Sequence, residues 1–289
     1  MKTNKVLYAI LLCLSCLKSF SQQNDVQAAL FNVGTGGLIG GIGSMINKKP
    51  NEKLTKLFLR GFAKGATGGL LVYGSKKLIY QYGDIENPSI AWGSKLMNAA
   101  GMSIIENAAS NNKFLKTWHL NFGFNRLEID IETRVKFRYK VMPYALYGFI
   151  YCFSRGNLSF SETFKLGHPI FFTDSLKINT YSSELAGTTL TNSILMSDKY
   201  YSSKQISHEI IHVLQFEAFG SLNTFFDKPR NELFMKEYKV IKFYKKWIYT
   251  DATNSIFSGL YLLNVDNSCF LNNSFEAEAN FYSFKWKCN

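Results

Sequence analysis

Histidine is scarce in this 289-residue chain, which has only four: His119, His168, His208 and His212. Any histidine-based chemistry must therefore use this small set. Five cysteines occur, but Cys13 and Cys16 lie in the N-terminal apolar stretch and only Cys152, Cys269 and Cys288 follow it. No CxxC pair remains beyond that stretch, which excludes a thiolate zinc knuckle. No long-period repeat is present, so solenoids and propellers are excluded. Acidic residues are also few, 21 against 33 Lys and Arg, for a net charge of +12. No nucleic-acid-binding motif accompanies that charge.

What is present begins with a leader. Lys2 and Lys5 precede an apolar core from Val6 to Leu17, and Ser19-Phe20-Ser21 forms a small-x-small cleavage site. This pattern predicts a signal peptide over residues 1–21 with cleavage before Gln22. The chain is thus expected to be exported, to the periplasm, the outer envelope or the medium. Removing Lys2, Lys5 and Lys18 lowers the net charge to +9. A basic exported protein is expected to associate with an anionic membrane surface rather than with nucleic acid. Export also permits a disulfide, for which Cys269 and Cys288 are the expected pair.

Residues 22–112 read as a glycine-rich helical region. Val26 to Asn47 is uncharged and carries Gly34, Gly36, Gly37, Gly40, Gly41 and Gly43; a second segment places Gly61, Gly65 and Gly69 four residues apart. Small residues at that spacing create a smooth face on which helices approach closely. The first segment has the length to span a bilayer, but its glycines favour close packing with neighbouring helices over insertion. The pair Asn87-Pro88 marks the start of a third helix.

Residues 113–186 switch to period two. Trp118, Leu120, Phe122 and Phe124 alternate with polar or small residues, and parity then shifts to Leu127, Ile129 and Ile131. Such alternation predicts half-buried strands with a bulge or turn near Asn125-Arg126. Val135, Phe137, Tyr139 and Val141 alternate with Lys136, Arg138 and Lys140, which are expected to form a charged outer face. Tyr147 to Phe153 and Leu158 to Phe164 are two further predicted strands, completing an antiparallel meander.

The last region, residues 187–289, carries the chemistry. His208-Glu209-Ile210-Ile211-His212 is an HExxH pentad, which on a helix sets two imidazoles one turn apart on one face, within reach of a single Zn²⁺. Glu209 then lies beside the fourth coordination position, where it can take a proton from water. Ser202 or Ser203 is a plausible N-cap, Ile206, Ile210, Val213 and Leu214 form a buried stripe, and Gly220 marks a stop. A catalytic zinc needs a third protein ligand. No histidine follows His212, so that ligand must be a carboxylate. Glu276 lies 64 residues on, behind the capping cluster Asn272-Asn273-Ser274. It shares a helix face with Asn280, which is placed to orient a liganding histidine. Acidic residues are also favoured in a first helical turn without any metal, and Glu278 is a weaker alternative.

HExxH followed by E-x-x-A-[D/N] on a later helix resembles the gluzincin metallopeptidases, over about residues 187–286. The resemblance implies that His208, His212 and Glu276 bind zinc and that Glu209 polarises the attacking water. It departs from the usual pattern at Asn280, where the family mostly has Asp. The strand-like run Gly187 to Met196, just before the pentad helix, matches the edge strand that zincin-like folds use to bind extended peptides. Tyr282, one and a half turns past Glu276, is a conceivable oxyanion donor. Between these elements, Lys236 to Trp247 is basic and aromatic, suited either to a membrane interface or to packing with its lysines solvated.

The expectation is an α+β protein with a glycine-rich helical N-terminal region, an antiparallel β meander and a zincin-like helical C-terminal half. Its function would be zinc-dependent hydrolysis of a peptide or protein substrate. The competing expectation is a non-catalytic envelope protein whose zinc site is structural or vestigial.

Overall fold

A computed structural model describes residues 24–177, 184–233, 238–264 and 269–285. The expected signal peptide and Cys288 lie outside these residues. Cys269 is disulfide-bonded, and Cys152 is a buried free thiol.

The fold is mixed α and β, and predominantly helical. Three long helices come first: α1 (Asp25–Ile46), α2 (Leu54–Ile85) and α3 (Pro88–Ala109). Asn24 caps α1 by accepting from Gln27 N, and Asn87 caps α3 ahead of Pro88. The glycines are where the helices touch. A Cβ on Gly65 would collide with the Gly36 carbonyl, and one on Gly40 with the Gly61 carbonyl. Only glycine permits backbones to approach this closely. By length and composition α1 could cross a membrane, yet half of its apolar window is buried in the fold. Asn47, just past α1, donates to Ala109 O at 2.9 Å and to Thr224 O at 2.8 Å, tying the C-terminal ends together.

A three-stranded antiparallel sheet follows: β1 (Thr117–Phe122), β2 (Asn125–Asp130) and β3 (Lys136–Val141). The expected change of parity is a tight hairpin turn at Gly123-Phe124, with Gly123 in the left-handed region at φ 56°. The faces are opposite to expectation. His119, Asn121, Arg126 and Glu128 are buried, while Leu127, Phe137 and Tyr139 are exposed. Lys136 and Arg138 stay exposed, but Arg138 and Lys140 pair with Glu128, at 3.2 and 3.3 Å, rather than being wholly solvated. The cause is α3, which presents Glu106 to the sheet. Arg126 meets Glu106 with Nη2–Oε2 at 2.6 Å and Glu128 with Nε–Oε1 at 2.9 Å, and stacks 3.7 Å from the Tyr249 ring. A charge network paired on all sides can be buried where an unpaired charge cannot.

The two further strands expected between 147 and 164 are helices instead: α4 (Pro143–Arg155) and α5 (Phe160–Leu166). Pro143 starts α4, and its buried residues Ala145, Gly148 and Cys152 recur at helical spacing. The aromatic and β-branched residues Tyr147, Ile150 and Phe153 are carried on the exposed face. Packing of the small-residue stripe overrides β-propensity here. Gly148 lies against the Leu190 carbonyl, where a Cβ would not fit without movement.

A second sheet has the order β4-β5-β7-β6, built from β4 (Asn157–Leu158), β5 (Ile170–Thr173), β6 (Gly187–Leu190) and β7 (Ser193–Ser197). Its β5–β7 pair is parallel, so the β structure is not one antiparallel meander. The run expected as a single strand over 187–196 folds as a hairpin through Thr191-Asn192. This leaves β6 as the edge strand and β7 fully buried.

Helix α6 (Ser203–Gly220) crosses the middle of the molecule. Ser202 caps it, accepting from Gln205 N, and every residue from Ile206 to Phe216 is buried. This is not a one-sided stripe. α2 packs on it through Ser207, whose hydroxyl lies 3.2 Å from Ile79 O, while β6 and α10 (Ser274–Phe281) cover other sides. The α-helix ends at Gly220, as expected, and a 3-10 turn over Ser221–Phe226 follows it. α7 (Asp227–Leu233), α8 (Lys239–Trp247) and α9 (Asn254–Leu263) complete the fold. One hydrophobic cluster joins Ile39, Val72 and Met102 to Phe216 and Phe257; another joins Ile79 and Tyr82 to Ile194, Ile210 and Tyr282.

Candidate metal centre

Helical spacing stacks His208 and His212 one turn apart on α6, with ring centroids 4.8 Å apart. The third donor arrives from α10. Asn273 caps that helix, accepting from Phe275 N, which sets Glu276 in its first turn facing α6. His208 Nε2 is 2.9 Å from Glu276 Oε2, His212 Nε2 is 3.4 Å from Glu276 Oε1, and the two Nε2 atoms are 3.2 Å apart. A tetrahedral zinc with ligand bonds of about 2.0–2.2 Å separates its donors by about 3.3–3.6 Å. Two of the three edges are within a few tenths of an ångström of that range. The shortest is a hydrogen bond, which a shared cation would replace. The three residues could hold one metal ion, and all three are nearly buried.

Carboxylate and imidazole favour one another's charged forms here. Burial opposes ionisation of Glu276, but the adjacent imidazoles outweigh it and hold its carboxyl well below the usual range. Burial likewise disfavours the charged form of His212. The Glu276 carboxylate prevails and raises it to about 9.

Glu209, next to His208 on α6, rests against β6. Its Oε2 accepts from Thr189 Oγ1 at 2.8 Å, and Gln205 Nε2 reaches Oε1 at 3.4 Å. Gly187 admits it: a Cβ there would meet Glu209 Oε1 at 2.8 Å. The pentad carboxylate is thus held against the edge strand.

Several residues of the centre were not singled out from the sequence. His212 Nδ1 lies 2.8 Å from Gln215 Oε1, and Gln215 Nε2 donates to Glu278 Oε2 at 2.8 Å. Glu278 Oε1 in turn lies 2.6 Å from Lys76 Nζ on α2, which also donates to Asn32 Oδ1 at 2.9 Å. A buried relay therefore runs from the glycine-bearing helices to a metal-facing imidazole. Glu278 serves this relay and is not in the donor triangle. His208 Nδ1 has Ser283 Oγ at 3.4 Å. Gln215 and Ser283 thus stand at the Nδ1 atoms, and Asn280, expected to orient a liganding histidine, is buried on α10. The Tyr261 hydroxyl on α9 bonds to Glu276 Oε1, and its ring lies 6.0 Å from that of His212. Tyr282, expected beside the site, is packed in the core with Ile79 and Ile210. Its hydroxyl makes no hydrogen bond, and burial pushes its pKa far up. Gln215 sits one turn after His212 and was legible by spacing. Nothing local in the sequence marks Tyr261 or Lys76.

His119 and His168 lie outside the centre. Both are buried, and burial lowers both pKa values, that of His119 to about 4. His119 Nδ1 lies 3.1 Å from Ser103 Oγ.

Comparison with protein-family models, with curated proteins and with solved structures finds no match to this chain.

Proposed function

We propose that this chain is an exported zinc-dependent metallohydrolase with a gluzincin-like centre and a zincin-like C-terminal half, acting most simply on peptide bonds. The observation that carries this is the convergence of His208, His212 and Glu276 on one point, from two helices separated by more than sixty residues. A structural site needs no further carboxylate, yet Glu209 stands on the same helix turn, held at the edge strand. Export rests on the leader over residues 1–21.

His208, His212 and Glu276 would hold Zn²⁺, which would supply Lewis acidity and a water of pKa lowered toward about 7. The protein's own groups do the rest. Glu209 accepts the proton of the attacking water on its carboxylate and returns it to the departing amine. Gln215 and Ser283 hold the imidazoles with Nε2 toward the ion. The outer edge of β6 offers backbone N–H and C=O groups to an extended peptide beside Glu209. Tyr261, whose hydroxyl bonds to Glu276, is the proposed donor to the oxyanion.

Metal analysis of the purified protein and hydrolysis of a quenched-fluorescent peptide mixture test this. Wild type should carry one zinc per chain, His208→Ala none. Glu209→Gln should keep the zinc and lose hydrolysis by at least about 100-fold. Retention of activity in Glu209→Gln would sink the mechanism, and a metal-free wild type would sink the site.

A further inference from the structure

The inner face of the first sheet, the C-terminal turns of α3, and helices α7 and α8 surround a cavity of about 350 Å³. That volume lies at the lower end of the range for small-molecule sites. Its wall is charged. Arg126, Arg138 and Lys140 reach it from the sheet, Arg230 from α7 and Lys245 from α8; against these cations stand only Glu106, Glu128 and Asp227. His119 also lines the cavity, but burial and the Arg126 charge lower its pKa to about 4, so it adds no charge at neutral pH. Asp130, which does not line the cavity, offsets part of the Arg138 charge at 3.4 Å. The balance stays positive.

The donors of these cations are not all used. A guanidinium has five N–H donors and an ammonium three. Arg138 directs Nε to Glu128 at 3.2 Å and Nη2 to Asp130 at 3.4 Å, and its Nη1 bonds to nothing among the described residues. Among the same residues Arg230 pairs only with Asp227, through Nη2. Lys140 Nζ has one ion pair, 3.3 Å from the Glu128 carboxylate that Arg126 and Arg138 already share. A network that served only to bury charge would match each cation fully, as Glu106 and Glu128 match Arg126. Instead, three cationic side chains from β3 and α7 line one polar cavity with donors to spare. Thr117, Asn223, Thr224 and Thr250 add hydroxyl and amide groups to the wall, which suits a hydroxylated ligand rather than an apolar one. A carboxylate offers two oxygens and one charge. A phosphate monoester offers three terminal oxygens and nearly two charges, so it can meet several separate cations at once.

We propose that this cavity binds a small phosphate monoester with a hydroxylated body, of the sugar phosphate type, its phosphoryl group held by Arg138, Lys140 and Arg230. None of the lining residues belongs to the metal centre, and the proposal stands independently of the hydrolase assignment.

Isothermal titration calorimetry of the full chain tests it with glycerol 3-phosphate, ribose 5-phosphate and glucose 6-phosphate, against inorganic phosphate and against ribose and glucose. At least one ester should bind saturably and more tightly than inorganic phosphate, and the neutral sugars should not bind. Loss of a charge-assisted hydrogen bond to the phosphoryl group should weaken that ester at least about ten-fold in Arg138→Gln and in Arg230→Gln. Both side chains are partly exposed, and the carboxylates they leave keep Arg126 and Ser110 as partners, so both variants should retain the wild-type circular dichroism. Lys140→Gln serves if either fails to fold. His208→Ala should bind the ester as wild type does. Absence of saturable binding by all three esters overturns the proposal, as does unchanged affinity in the variants. Inorganic phosphate binding as tightly as every ester would assign the cavity to free phosphate, and loss of binding in His208→Ala would move the ester to the metal centre; either result overturns it too.

Discussion

Lys76 Nζ lies 2.6 Å from Glu278 Oε1 with both side chains almost fully buried, joining the second glycine-bearing helix to the helix that supplies Glu276. Through Gln215 the same carboxylate holds His212. Stability of the core and geometry of the centre are therefore coupled.

Removing one member of that pair leaves an uncompensated buried charge, a loss of about 3–5 kcal/mol. Lys76→Met should lose that much in urea unfolding, and Lys76→Met/Glu278→Gln should recover part of it. Zinc affinity of Lys76→Met should fall about 10–100-fold, as for other residues that orient a liganding histidine. Wild-type stability in the single variant would show that the pair is solvated.

The glycines of α1 and α2 differ in what a methyl group would meet. Around Gly34 there is open space, whereas Gly65 abuts the Gly36 carbonyl. Gly34→Ala should stabilise by up to about 1 kcal/mol through helix propensity. Gly65→Ala should destabilise by about 1–3 kcal/mol, since backbone cannot yield as a side chain does. Denaturation midpoints of the two variants should move in opposite directions.

Acid stability should report on His119. Its folded pKa of about 4 lies below the ordinary 6.5, because burial disfavours its charged form and Arg126 repels it. Between these values the unfolded chain binds a proton that the folded chain does not, so stability falls as pH drops from 6.5 to 4. The total is on the order of 3 kcal/mol. His119→Gln should flatten this part of the stability profile, leaving the slope due to His168, which burial depresses in the same sense.

The two tyrosines near α10 should separate cleanly. Tyr261→Phe removes the hydroxyl bonded to Glu276 and should lower kcat of peptide hydrolysis by about 10–100-fold, with a smaller change in KM. Tyr282→Phe removes a buried hydroxyl with no partner, so unfolding should show equal or higher stability. A loss of stability there would reveal a hydrogen bond to that hydroxyl.

Much of the centre could be read locally. Ser202 capping, the i, i+4 histidines and the Asn273 cap before Glu276 are short-range features, and each depends on helix geometry alone. The glycine spacing likewise announced close helix contact. The expectation of a strand at Tyr147–Phe153 fails because the small-residue stripe of Ala145, Gly148 and Cys152 packs this segment as helix α4. The expected charged outer face of the first sheet holds only in part, for a related reason. Period two shows that a strand has two faces, but not which of them meets the rest of the molecule.

By itself, then, the sequence determined the three glycine-bearing helices, the pentad helix, the three-strand alternation and the two short motifs that bring metal-type donors, because those follow from period and capping. Tertiary structure decided what touches what. It placed Glu106 under the sheet and so turned Arg126 inward, buried Tyr282 while bringing Tyr261 to the donors, and set Lys76 behind Glu278. Such choices depend on which distant charges find partners and which surfaces exclude water, and no local spacing encodes them.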